Sequence, residues 1–217
     1  MLLAEGILDL QAEIQAIRRD IHAHPELRFE EHRTASVVAD RLRQWGYDVT
    51  TGIGGTGLVG SLRRGTSPRS VGLRADMDAL PLQEQNTFEH RSRHPGKMHA
   101  CGHDVHTTSL LGVAVIINEN KKVLHGEVRL IFQPGEEKNP GGASIMIKEG
   151  VLENPAPQKI FAMHVHTVIE AGEFSFRGGI VMASADEIYI TLKGRGGHAA
   201  SPQLTADPIF IAAHIVT

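Results

Sequence analysis

At 217 residues, with 41% hydrophobic and 22% charged side chains, the chain is long enough to bury a core and too apolar for intrinsic disorder. A formal net charge of −3, with no basic run or interleaved aromatic platform, argues against nucleic acid and against the anionic membrane surface as partners. The start, Met1 to Asp9, has no basic n-region, no stretch approaches the roughly eighteen uninterrupted apolar residues of a membrane span, and one cysteine makes no internal disulfide, so a cytoplasmic protein is expected.

Leu3, Ile7, Leu10, Ile14, Ile17 and Ile21 alternate spacings of four and three, which predicts an amphipathic helix ending near His24-Pro25. A second helix is expected from about Glu31 to Trp45, with Ala35, Val38, Ala39 and Leu42 inward and Gly46 as its stop. Tyr47–Thr51, Leu58–Leu62, Ser70–Arg74, Val128–Gln133 and Ile160–Met163 read as short strands, and Asp104 to about Asn120 and Ala143–Glu149 as helices. Strand and helix alternate, so the expected fold is an α/β mixed sheet with helices on both faces and a working site beyond the carboxyl ends of the strands. After about Ser184 the texture changes. Glu187–Lys193 alternates like a half-exposed antiparallel strand and a helix follows Asp207-Pro208, so residues 1–183 are expected to form one domain and 184–217 the beginning of a smaller α+β one.

The chemistry concentrates in Met98-His99-Ala100-Cys101-Gly102-His103-Asp104-Val105-His106, which holds the only cysteine, three of thirteen histidines and an aspartate. A thiolate and an imidazole two residues apart grip one ion only if the backbone between them bends, and Gly102 permits that bend. Three further groups suit a metal hydrolase: Asp76-Met77-Asp78, Glu136-Glu137 and Met163-His164-Val165-His166. Each alone has a plainer reading: a turn or cap for Asp-x-Asp, solvated surface for adjacent glutamates, a small buried hydrophobe for a lone cysteine. It is their joint placement at strand ends that favours a metal. Two adjacent carboxylates point different ways, so one of Glu136 and Glu137 can bind an ion while the other acts as general base. His164 and His166, two residues apart, compete for one ligand role, and His22, His24, His99 and His106 read as structural or pocket-wall histidines.

In order and spacing, Arg74-Ala75-Asp76-Met77-Asp78-Ala79-Leu80-Pro81, His99-Ala100-Cys101-Gly102-His103-Asp104, Gln133-Pro134-Gly135-Glu136-Glu137 and Gly194-Arg195-Gly196-Gly197-His198-Ala199-Ala200 resemble the metal-dependent amidohydrolases that include hippurate hydrolase, N-acyl-amino-acid hydrolases and plant indoleacetyl-amino-acid hydrolases. His22-Ala23-His24-Pro25-Glu26-Leu27 is similar to that family's N-terminal signature. The resemblance implies a dinuclear zinc-peptidase-like catalytic domain in which Cys101, His103, Glu137 and His164 hold two divalent ions (zinc, manganese, cobalt or nickel). It implies Glu136 as general base, Asp78 as the residue orienting a ligand, and His198 as a lid-domain histidine that steadies the oxyanion. The implied substrate is a small N-acyl or aryl-acyl amino acid, and the implied assembly a homodimer through the lid.

Members of that family are longer, and their chain returns to the catalytic sheet with one more metal-binding histidine. His214 sits in the lid-like helix and does not fill that role. Two readings of function follow. One is an amidohydrolase, or the N-terminal portion of one; the other is a catalytically inactive metal-binding or interaction module of the same fold. A zinc-stabilised structural domain is a weaker third, because structural sites close four ligands and leave no carboxylate free.

Overall fold

The computed structural model describes residues 2–217, with side chains from residue 10 onward; the stripe positions Leu3 and Ile7 lie outside those side chains. The chain divides into two compact units, the first ending at Thr167 and the second running Val168–Thr217.

In the first unit the order is α1 (Leu2–Ala23), α2 (His32–Gln44), β1 (Asp48–Ile53), β2 (Gly57–Arg64), β3 (Ser70–Asp76), α3 (His103–Glu119), β4 (Gly126–Gln133), α4 (Gly142–Lys148) and β5 (Lys159–Ala162). Every element expected in this region is present, with ends shifted by no more than two residues. The strands form one mixed sheet in the order β1-β2-β4-β3-β5, antiparallel between β1, β2 and β4 and parallel between β4, β3 and β5.

Period-two alternation sorts the strand residues onto two faces. Leu58 and Leu62 of β2 and Val128, Leu130 and Phe132 of β4 meet Ile17 and Ile21 of α1, Val38, Ala39 and Leu42 of α2, and Leu110, Leu111 and Ala114 of α3 in the main core. Trp45 packs at its margin as expected of a core residue, and Tyr47, buried, donates its hydroxyl to the Ala114 carbonyl at 2.8 Å. On the opposite face Val59 and Ile131 pack with Met146 of α4 and Val151. Helices therefore cover both faces, three on one and α4 on the other. β5 lies at the sheet edge, with Ile160 and Phe161 exposed.

In the second unit α5 (Pro208–Val216) is the expected helix, capped by the Asp207 carboxylate, which accepts the Ile209 amide at 2.9 Å. The expected strand over Glu187–Lys193 is not formed. Alternation alone does not make a strand; a ladder partner must supply its hydrogen bonds, and among the described residues of this unit the pairing is limited to the Arg195–Ala206 bridge. No described helix is long and apolar enough to cross a membrane.

Candidate metal centre

Register explains why distant residues converge. Asp76 stands opposite Gln133 across β3 and β4, and Arg74 opposite Ala162 across β3 and β5, so three parallel strands end within two residues of a common row. Asp76 and Asp78 leave β3 there, Glu136 and Glu137 follow the turn after β4, and His164 lies two residues past β5. Cys101 and His103 arrive from the other direction, at the start of α3. Gly102 makes that entry possible. It has φ +86°, and a Cβ there would collide with the Val165 side chain.

Six of the seven residues singled out from the sequence lie in the first unit and meet there. Cys101 Sγ lies 3.4 Å from His164 Nε2. His103 Nε2 lies 3.8 Å from Glu137 Oε1, 3.9 Å from Glu136 Oε2 and 3.7 Å from Asp76 Oδ2. Each imidazole is aimed by its other nitrogen: His103 Nδ1 meets Asp78 Oδ1 at 3.3 Å, and His164 Nδ1 donates to the Val165 carbonyl at 2.6 Å. Asp78 also accepts the Glu137 amide on Oδ2 at 3.0 Å, so it orients one histidine and one glutamate at once. Of the pair His164 and His166, His164 is seen to reach Cys101. The seventh residue, His198, lies in the second unit, where its Nδ1 accepts the Ala200 amide at 3.2 Å.

His103 Nε2 and Glu137 Oε1 are buried without a hydrogen-bond partner, yet face the same space. Buried polar atoms are almost always paired, and a cation is the partner that suits an imidazole nitrogen, a carboxylate oxygen and a thiol sulfur together. Three groups able to hold an ion share His103: Cys101, His103 and His164; His103, Glu136 and Glu137; and the fully buried Asp76, His103 and His106. Glu136 is the more open of the glutamates, its side chain 42% exposed against 19% for Glu137.

The local field is strongly negative. Burial pushes the Cys101 thiol up to about 12, with Glu137, Glu136 and Asp76 adding to the shift. Burial opposes charge on His103, but the Asp78 hydrogen bond and the Asp76 and Glu137 carboxylates outweigh it and raise its pKa. Burial also raises Glu137, against His103 and Cys101, which lower it. A cation reverses this pattern, since it takes the place of the protons on sulfur and nitrogen.

Of the four histidines expected to be structural or pocket-wall, His22, His24 and His99 lie outside the ion-capable groups. His22 lies between Asp104 (2.8 Å) and Glu84 (3.2 Å), and His24 Nδ1 meets the Asp20 carbonyl at 2.8 Å. His99 is buried, with both ring nitrogens unpartnered, and burial lowers its pKa to about 4. His106 does more than line a wall. It bridges Asp76 and Val165, and its spacing from His103, one helical turn, was the available signal. A second anchor gave no signal at all. Buried Glu31 accepts the Gly135 amide at 2.8 Å and the Thr56 hydroxyl, fixing the turn that presents Glu136.

Comparison with known proteins agrees with this geometry. Residues 72–213 match Peptidase family M20/M25/M40. The chain is 44% identical over 216 residues to a hippurate hydrolase of Campylobacter jejuni, covering 100% of this chain and 56% of that protein. It superposes on a protein from methicillin-resistant Staphylococcus aureus with TM-score 0.81 and 33% identity, covering 99% of this chain and 55% of the other. It also superposes on the Bacillus subtilis YXEP protein, a dinuclear metal binding peptidase of family M20, with TM-score 0.67 and 37% identity, covering 72% and 43%. The chain spans about half the length of the curated relatives it matches.

Proposed function

Because this chain belongs to Peptidase family M20/M25/M40, we propose that its strand-end cluster serves metal-dependent hydrolysis of the amide bond of N-acyl or aryl-acyl amino acids. The observation that carries this reading is the meeting of Cys101 Sγ, His103 Nε2, Glu137 Oε1 and His164 Nε2, two of them buried and without other partners, at one end of the parallel strands. Those four residues would hold two divalent ions, and the mixed sulfur, nitrogen and oxygen set admits zinc, manganese, cobalt or nickel. When bound, such ions polarise a carbonyl and lower the pKa of water toward about 7.

The chain's own residues do the rest. Glu136, the more open carboxylate and 3.9 Å from His103 Nε2, takes a proton from the attacking water and delivers it to the leaving amine nitrogen as the carbon–nitrogen bond breaks. Asp78 acts at one remove, holding the His103 ring and the Glu137 backbone in place. We assign His198 to stabilising the oxyanion, presented by the glycine-rich turn before it. We place it in a lid and dimerisation domain beginning near residue 184, through which the full-length protein would form a cytoplasmic homodimer. The hippurate hydrolase relative supports an aryl-acyl amino acid as substrate.

The chain loaded in turn with zinc, manganese, cobalt or nickel is expected to release glycine from hippurate, and Glu136→Gln to retain the metal and lose turnover by a hundredfold or more, at the lower end of what general acid–base catalysis contributes, about 100- to 10,000-fold. Stoichiometric metal with no turnover in the parent chain would overturn the enzyme reading for these residues in favour of a metal-binding module.

A further inference from the structure

We propose that His106 is a positioning residue, fixed by Asp76 in a single tautomer so that its Nε2 catches the Val165 amide and thereby sets His164 against Cys101. The inference rests on the reading of Cys101, His103, Glu137 and His164 as metal ligands, but its geometry is independent of it.

β5 ends at Ala162, and the next residues have no strand pairing to hold them. His164 nevertheless has to arrive at a defined place. The Val165 amide supplies the hold, donating to His106 Nε2 at 3.0 Å. An amide can only donate, so this nitrogen must carry a lone pair, and the ring proton must sit on Nδ1. Nδ1 meets Asp76 Oδ1 at 2.6 Å, while Arg74 Nη1 donates to the other oxygen, Oδ2, at 2.7 Å. An ionised carboxylate accepts and never donates. The series Arg74, Asp76, His106, Val165 therefore has one self-consistent direction of donation, which fixes the ring.

Packing closes the same segment from its other sides. The Val165 side chain fills the place a Cβ would take on Gly102, the residue between Cys101 and His103. The His164 ring stands edge-on to His106, with centroids 4.5 Å apart and planes at 65°. The segment carrying His164 is thus tied to the α3 turn carrying Cys101 and His103 by the Val165–His106 hydrogen bond, the Cys101 Sγ–His164 Nε2 contact, the edge-on contacts of the His164 ring with His106 and His103, and the packing of Val165 on Gly102. Of these, only the Val165–His106 hydrogen bond depends on the His106 tautomer. A merely structural buried histidine would be replaceable by an apolar residue of similar size at a cost in stability alone. The arrangement here predicts a dependence on an acceptor at the Nε2 position.

The test uses the whole chain with Co2+ as the probe. His106→Leu is expected to weaken Co2+ binding by about 10- to 100-fold, the range for residues that orient a metal ligand, and to reduce the thiolate-to-cobalt absorption. His106→Gln, whose side-chain carbonyl can take the Val165 amide, is expected to stay within about threefold of the parent, well inside that range. Asp76→Asn is expected to resemble His106→Leu: Arg74 keeps the amide oxygen, the amide nitrogen faces His106 Nδ1, and the ring proton moves to Nε2, toward the Val165 amide. In metal-free protein, 15N spectra should show His106 as the Nδ1–H tautomer, and the Val165 amide should exchange slowly in the parent and quickly in His106→Leu.

An Nε2–H tautomer, an unprotected Val165 amide in the parent, or equal Co2+ affinity in the parent and His106→Leu would each overturn the proposal. Should His106→Leu not fold, His106→Gln and Asp76→Asn decide it: Gln binding as weakly as Asn overturns it. A parent that shows the tautomer and the protected amide but binds no Co2+ supports the latch and removes the ligand assignment instead.

Discussion

His22 accepts an electrostatic load from two sides, with Asp104 on Nδ1 and Glu84 on Nε2 in an environment where its side chain is 5% exposed. Burial disfavours its charge, but the hydrogen bonds to Asp104 and Glu84 outweigh that and raise its pKa above the ordinary 6.5. A histidine whose folded pKa is raised stabilises the fold fully below its unfolded pKa and loses that contribution as pH rises through the folded one. His22→Gln is therefore expected to cost about 1.5–3 kcal/mol near pH 5.5, the range for hydrogen bonds to charged groups, and progressively less above pH 6.5. Urea unfolding of both proteins at a series of pH values measures this; a gap that widens with rising pH contradicts it. The sequence displayed His22 and Asp104 but not their meeting, because the pair spans 82 residues and is made by packing α1 on α3. By contrast, Cys101 and His103 were legible at once, since a thiol and an imidazole two residues apart need only a local bend.

The elements themselves were legible where local chemistry decides them: apolar stripes for α1 and α2, Gly46 after α2, β-branched runs for β2 to β4, Asp207 before α5. What the sequence withheld was partnership. Glu187–Lys193 has the alternation of a strand and no ladder to join, and β5 stops at Ala162, short of the Met163 expected, because its pairing with β3 ends at Arg74. The turn after β4 depends on a residue 104 positions away, Glu31, whose two oxygens hold the Gly135 amide and the Thr56 hydroxyl. Gly135 has φ +55°, and the Phe29 ring occupies the space a Cβ would need, at 2.5 Å. Glu31→Ala leaves a buried amide unpaired and is expected to cost about 1–3 kcal/mol. Burial raises the Glu31 pKa against its hydrogen bonds, so Glu31→Gln should lose less than Glu31→Ala near neutral pH. Thermal unfolding of the two variants settles the order; equal loss would show that the anchor contributes nothing specific.

On the scale of the whole molecule, the sequence identified the class of fold and the end of the sheet where the candidate ligands gather, because alternating strands and helices leave few arrangements open. It did not give the order β1-β2-β4-β3-β5, since antiparallel and parallel neighbours share the same apolar pattern. That order has a consequence in time. Cys101 meets His164 across 63 residues, and Asp78 meets Glu137 across 59, so completing the centre requires closing long loops whose entropy cost is offset only by packing elsewhere in the sheet. The centre is expected to be completed late in folding rather than to nucleate it. Refolding from urea with Co2+ present from the start is therefore expected to proceed at the rate seen without it, with cobalt–thiolate absorption rising only in the final phase. Absorption preceding the native fluorescence change would mean instead that the metal recruits the chain.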